Sequence, residues 1–469
     1  MRKSLPVASY RALSPAASSS RLVNCFAEQL PPDTDTPLAL LRCMGIDDWT
    51  TVGNGPIYAM IAADTSIGSF LYVVSGSELY RIDENKAAVL LGSVGAVNSI
   101  DMEITANDDV NVVNTPDMFT YNNVTGVFQQ VTDADFVAVG AQDIEFIDNY
   151  LTFTIPNSDQ WGAFDLGSAT SYDALMFASA ETSPDTIVGH ITDHGQIVIA
   201  GKRSMEIWDN TGAAGFPFER AIGGRLEIGC LNGRTLAKQD NSVFWLANDY
   251  TVRRLDGATP VRISQHGVES AFRDMTISTA KAFTYSQEGH LFYVLSFFEG
   301  TFVYDATTQE WHERKSYGYD YWRAQSHAQV FGLELVGDIT SNKIGVLTRD
   351  VYTEWGDTQR MEWTYQPIYA DGRRAFHDRL EIMAETGVGL TSGQGSDPEI
   401  MLDWSDDGGM TYRSMPNRSL GAIGRYTDRI VWQALGSSRV GRVYRGAVSD
   451  PVKVVIRDTQ AEVRGGKWA

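Results

Sequence analysis

Leu71-Tyr-Val-Val-Ser-Gly-Ser-Glu-Leu-Tyr-Arg-Ile-Asp83 is an apolar run, a tight turn and an alternating run. Val, Tyr and Leu suit a pleated, half-buried surface. Ser-Gly supplies the turn. The period-2 alternation that follows puts one face in a core and one in water. The pattern returns at Asn111, Leu151, Ile197, Val243 and Leu291. The turns change to Thr-Pro-Asp, Gly-Lys and Asn-Asp, but the strand–turn–strand form persists. Self-similarity at a period of about 40 to 50 residues is the signature of propeller blades of four short strands. The expectation is an all-β chain built on a β-propeller of about five to seven blades.

The flanks are read from that repeat. Several second strands close on an aromatic residue or Leu followed by Asp or Asn, as in Tyr121-Asn122, Trp208-Asp209 and Tyr304-Asp305. A third strand such as Gly126–Val131 follows. A last, weaker copy is placed at Lys343-Ile-Gly-Val-Leu347, with Tyr352–Trp355 as its second strand. Helical signals are sparse; short helices are expected around Ser270–Ile277 and Tyr172–Ala178. Residues 1–54 read as an extended N-terminal arm and linker. The arm is expected to lie on a neighbour in preference to acting as a targeting segment, and Leu30–Pro37 is linker-like. Residues 55–360 read as the propeller. Residues 361–469 carry strands at 379–385, 399–404, 429–433, 443–448 and 452–457, which suggest a small β-sandwich. The alternative is that this region completes the last blade through its terminal strand.

Charge divides the chain in the same place. Formal net charge is −21, yet residues 361–469 hold 14 basic and 14 acidic residues, so the whole excess lies in residues 1–360. An acidic body argues against gripping nucleic acid by counterion release. Three cysteines without metal or redox spacing argue against a disulfide-stapled secreted domain. No apolar run reaches ~18 residues, so no membrane insertion is expected.

Few motifs carry chemistry. Ser405-Asp-Asp-Gly-Gly-Met-Thr-Tyr412 fits the Asp-box pattern, with Ser405, Asp407, Gly409, Thr411 and Tyr412 in their places. Asp407 is expected to accept backbone N–H groups in the turn, and Gly409 to supply a permissive φ. That makes a hairpin turn and no catalyst. His190 and His194 have metal-helix spacing but sit in a turn-rich stretch without the adjoining Glu. Gly223–Gly229 lacks the Lys-Ser/Thr of a P-loop. No catalytic, cofactor-binding or metal-binding residue is assigned. The aromatic run Tyr317, Tyr319, Tyr321 and Trp322 is a candidate partner patch, with core packing as the plainer reading. A propeller-type glycan-binding or glycoside-hydrolysing protein stands as the alternative function.

Scattered blocks carry a family resemblance. Arg21–Glu28, Leu71–Tyr80 and Asp193–Trp208 resemble segments of phage packaged-DNA-stabilisation proteins, the tail hub or nozzle proteins of short-tailed bacteriophages. Ser405–Gly409, Ile423–Trp432, Arg442–Arg445 and Ser449–Val452 match best. Cys43-Met-Gly45 departs from a Pro-Gly turn common there. The resemblance implies a structural virion protein and no enzyme: a six-fold homo-oligomeric ring in the tail, made in the host cytoplasm. It implies a head–tail adaptor, a tail needle or plug, and tail spikes or fibres as partners. Double-stranded DNA would pass through without specific binding, and no cofactor is implied.

Overall fold

The computed structural model describes residues 2–3, 5–11, 18–31, 37–180, 185–370 and 372–466. Residues 32–36 of the linker-like stretch and residues 12–17 of the N-terminal segment lie outside them.

The described residues form seven four-stranded antiparallel blades. Blade 1 runs Ile57–Thr65, Gly68–Ser75, Glu78–Ile82, Ala88–Ser93. Blades 2 to 6 follow in the same order, with inner strands Ile100–Ile104, Ile144–Ile147, Ile187–Asp193, Ala237–Gln239 and Lys281–Gln287. Each quoted sequence repeat is the second and third strand of one blade. Those strands are the most buried, hence the most continuous apolar runs.

Blade 7 is assembled from both ends of the propeller. Ala324–Val330, Leu333–Asp338 and Lys343–Thr348 are its first three strands, and Gly45–Thr51 is its outermost. This corrects the last repeat. Lys343–Thr348 is a third strand, and the second strand, Leu333–Asp338, precedes it. Thr353–Glu354 only brushes Ile46 in a short parallel pairing. The sandwich does not close the propeller; the N-terminal strand does.

An apolar cluster fills each gap between blades. Tyr72, Val74 and Leu79 meet Val110, Val112 and Phe119 between blades 1 and 2. Leu71, Val73 and Ile82 meet Leu335, Ile344 and Trp49 between blades 1 and 7, which shuts the ring. Polar stitches reinforce these gaps. Asp101 accepts the Ile144 amide at 3.0 Å, Asp143 the His190 amide at 2.7 Å, and Asn232 donates to Ala280 at 3.2 Å. Their partners lie 43, 47 and 48 residues apart, so the sequence period and the blade-to-blade contact are one fact.

The second domain is a β-sandwich to which the N-terminal segment contributes. One sheet runs Cys25–Gln29, Leu38–Arg42, Val455–Gly465, Ala375–Ala384, Ile430–Gln433. The other runs Ser19–Val23, Met361–Thr364, Val443–Val448, Glu399–Ser405. Trp363, Trp432, Leu380, Ile382, Leu402 and Tyr444 pack between them with Leu22, Cys25 and Leu40. The expected arm on a neighbour is therefore corrected: residues 19–29 and 38–51 pair within their own chain. Their apolar side chains find partners there that an isolated reading of the segment could not supply. The second sheet continues through a parallel bridge between Val23 and Glu313 into the outer strand of blade 6, giving one sheet of 11 strands across both domains.

Helix is minor, at Ala134–Val139 and His266–Phe272. The helix expected around Ser270 begins earlier, at His266. The one expected over 172–178 is replaced by turns and the strand Phe177–Ser179. All three cysteines are free and buried.

Candidate functional site

The inner strands of blades 2 to 6 start around a polar cleft of about 720 Å3 on the propeller axis. Its acidic wall comes from Asp101 of blade 2 and from Asp143 and Glu145 at the start of blade 3. His190 of blade 4 pairs with Asp143 at 3.1 Å. Burial works against both charges, but the mutual attraction wins, raising His190 and lowering Asp143. Glu145 accepts the amide and hydroxyl of Thr192 at 3.1 and 2.7 Å. Burial and then Asp143 push Asp101 up to about 7. Burial and then Glu145 push Glu103, two residues on, up to about 8.

The opposite wall is basic. Arg234 stands in the connection to blade 5, and Lys281 opens blade 6. Lys281 donates across to the Tyr58 carbonyl of blade 1 at 2.6 Å. Burial, then Arg234, pull Lys281 down to about 8. The sequence reading missed this cleft because no two of its charged residues are neighbours in a motif. Aligning the repeats on their inner-strand entries would have brought Asp101, Asp143, Arg234 and Lys281 close to one register.

The Asp-box turn forms as its pattern requires. Ser405 donates to Asp407 at 2.6 Å, and the Met410 and Thr411 amides donate to the same carboxylate at 2.9 Å each. These bonds, led by Ser405, hold Asp407 well below the usual carboxylate range. Gly409 has φ +94°, which a side chain would resist. Tyr412 lies under the Arg445 guanidinium at 4.0 Å.

The aromatic run divides. Trp322 is fully buried, with Arg314 stacked 3.9 Å above its ring, so it leaves the candidate patch. Tyr317 is 70% exposed, and Tyr319 and Tyr321 are half-buried beside it. Phe298, 51% exposed at a hairpin tip of blade 6, packs on Tyr321 at 5.4 Å and takes the place of Trp322.

The histidines form no metal-like cluster, although His290 and His312 both pack on Phe26 and Phe292. His190 and His194 lie on a strand and its turn, with separate partners Asp143 and Asp193. His290 pairs with Asp305, and His327 with Glu334. No group of three or more His, Cys, Asp or Glu suited to a metal occurs among the described residues.

Polar residues also build the seam between the domains. Asn24, at φ +55°, donates to the carbonyls of Lys315 and Arg360 at 2.8 Å each and accepts the Lys315 amide. Arg42 is buried and donates to the carbonyls of Asp450, Val452 and Gln359 and to the Gln359 side chain. Burial lowers it to about 10. Across one face of the shared sheet runs a buried to half-buried alternating ladder, Glu313–Arg21–Glu362–Arg445–Asp403, with spacings of 2.7, 3.9, 4.0 and 2.7 Å.

Comparison with known proteins follows the same division. Residues 40–352 match the family described as bacteriophage P22 Gp10, beta-propeller, and residues 360–464 the one described as bacteriophage P22 Gp10, beta-sandwich. No curated protein matches. Among solved structures, a computationally designed Ika8 protein is similar at TM-score 0.40 and 14% identity, over 65% of this chain and 99% of its own. A chain of the mitotic checkpoint complex is similar at 0.43 and 10%, over 68% and 95%. The extracellular domain of the one-component system BT4673 from B. thetaiotaomicron is similar at 0.44 and 11%, over 86% of this chain and 56% of its own.

Proposed function

This chain belongs to the bacteriophage P22 Gp10 family, and we propose on that premise that it is the hub, or nozzle, of a short-tailed phage tail. One observation carries the reading: a propeller and a sandwich, each matching that family, are joined into one body by a continuous sheet. Such a joint holds two surfaces at a fixed angle, which suits an assembly part.

Six copies form a ring beneath the head–tail adaptor, hold the needle or plug, and carry the spikes or fibres. The ring extends the DNA channel, retains the packaged genome and passes it during ejection. The propeller's own axis is not that channel, because the Lys281 side chain alone reaches from blade 6 to blade 1. The lumen lies between copies. The excess charge of −21 belongs to residues 1–360. Where those residues face the lumen they repel phosphates over roughly 8 Å, and the duplex slides without sticking. Tyr317, Tyr319, Tyr321 and Phe298 form a contact for one of the tail partners. The role is structural, not enzymatic.

Electron cryomicroscopy of the phage particle tests this. The expected result is six copies in a ring under the adaptor, with acidic residues toward the DNA. Copies placed outside the tail, or a basic lumen, would overturn it. So would turnover of a chromogenic glycoside by the purified chain.

A further inference from the structure

The two walls of the axial cleft are unequally satisfied. On the acidic side Asp143 is paired with His190, Glu145 is hydrogen-bonded to Thr192, and Asp101 accepts the Ile144 amide. On the basic side neither Arg234 nor Lys281 has a carboxylate within 4.0 Å among the described residues. The Arg234 guanidinium makes one long bond, 3.5 Å to the Ser278 carbonyl. Lys281 uses one of its three N–H groups, on Tyr58. Arg234 and Lys281 therefore share one cleft, which Lys202 also lines, and most of their side-chain donors have no protein acceptor. Asp101 already attracts both, and a bound anion offsets more of their mutual repulsion.

We propose that this cleft is an oxyanion site. A phosphate, sulfate or carboxylate group, free or at the end of a small molecule, is held by the fork of Arg234 and the point charge of Lys281. The volume of about 720 Å3 accommodates the anion and a small body attached to it. Asp101 faces the same space and gives the site a pH dependence. Around it stand Glu103 on its own strand, Asp143 and Glu145 from blade 3, His190 and Lys202 from blade 4, Arg234, and Lys281 from blade 6. Lowering the pH neutralises Asp101 and completes the charge on Lys281. Both changes favour an anion.

Calorimetric titration of the full chain with sodium sulfate, at ionic strength held constant with chloride, tests the site. Saturable binding is expected at a Kd of about 1 mM or tighter. It weakens about tenfold or more in Arg234→Gln and in Lys281→Met, and is unchanged in Lys453→Gln on the sandwich. Arg234→Lys, which keeps the charge and loses the fork, falls between and serves if Arg234→Gln does not fold. Sulfate keeps its charge over the range used, so wild-type affinity rises from about pH 8.5 to about pH 6.5 through the protein alone, and Asp101→Asn flattens that rise. A parallel titration with acetate tells a carboxylate ligand from a tetrahedral one, by which anion binds more tightly. Absence of saturable binding of either anion up to about 50 mM would overturn the proposal. Equal affinity in the Arg234→Gln/Lys281→Met double variant would do the same.

Discussion

Between blades 1 and 2 the contact is Tyr72, Val74 and Leu79 against Val110, Val112 and Phe119. Between propeller and sandwich, Phe26 packs on Phe292 and His290, but most of the contact is polar: Asn24, Arg42, Gln359 and the Arg21–Glu313 pair that begins the charge ladder. The first is apolar, repeated and without strong direction, so blades with little sequence in common still stack. The second is made once, and beside the Phe26 contact it consists of directional bonds whose donors and acceptors fit at one angle only. Blade packing supplies stability, and the seam sets orientation.

The harshest way to break this contrast is to put a charge into the apolar side of it. Ile46→Asp buries a carboxylate in the closing strand against Val336 and Trp355. The expected loss is about 4 kcal/mol or more, with blade 7 open. Denaturant unfolding should show a lower midpoint, and hydrogen exchange should lose protection first over 324–348. Arg42→Met acts on the other side. It leaves buried carbonyls of Gln359, Asp450 and Val452 without their donor and should cost about 3 kcal/mol. The loss should appear as a split: sandwich and propeller melting separately in calorimetry, where the wild type is expected to give one transition. A single, merely lowered transition would show that the seam does not set domain coupling. Asp101→Asn sharpens the comparison with a smaller effect. Asp101 has its folded pKa raised to about 7. The native state therefore binds the proton more tightly than the unfolded chain. Stability from this group is full below the unfolded carboxylate range and is lost as pH rises through about 7. The amide removes that loss, so the variant should gain about 1–2 kcal/mol at about pH 8 and almost nothing at about pH 4.

What could be read from sequence follows the same contrast. Blades are periodic, and the inter-blade bonds at separations of 43 to 48 residues are the physical origin of the period. Blade 7 was blurred because its strands come from both ends of the domain, and because Glu334, Gly337 and Asp338 interrupt its second strand. The Asp box was legible because all its partners lie within eight neighbouring residues. The N-terminal segment was not. Leu22 pairs with Trp363, and Leu40 with Ile456, across separations that no local pattern encodes. Trp322 looked like its exposed tyrosine neighbours, yet it turns inward to meet Arg314, which comes from the preceding strand.

The closing strand has a consequence in time. A ribosome makes Gly45–Thr51 before any blade, but its partner Lys343–Thr348 emerges almost 300 residues later. At ~5–20 residues per second that is a wait of roughly 15–60 s. The strands at 25–42 wait longer, since they need residues 455–465. For that interval the chain carries unpaired β edges bearing Phe26, Leu40 and Ile46, all of them buried in the end. The chain thus finishes folding by returning to its own beginning, and synthesis order makes the segment that joins both domains the last to be secured.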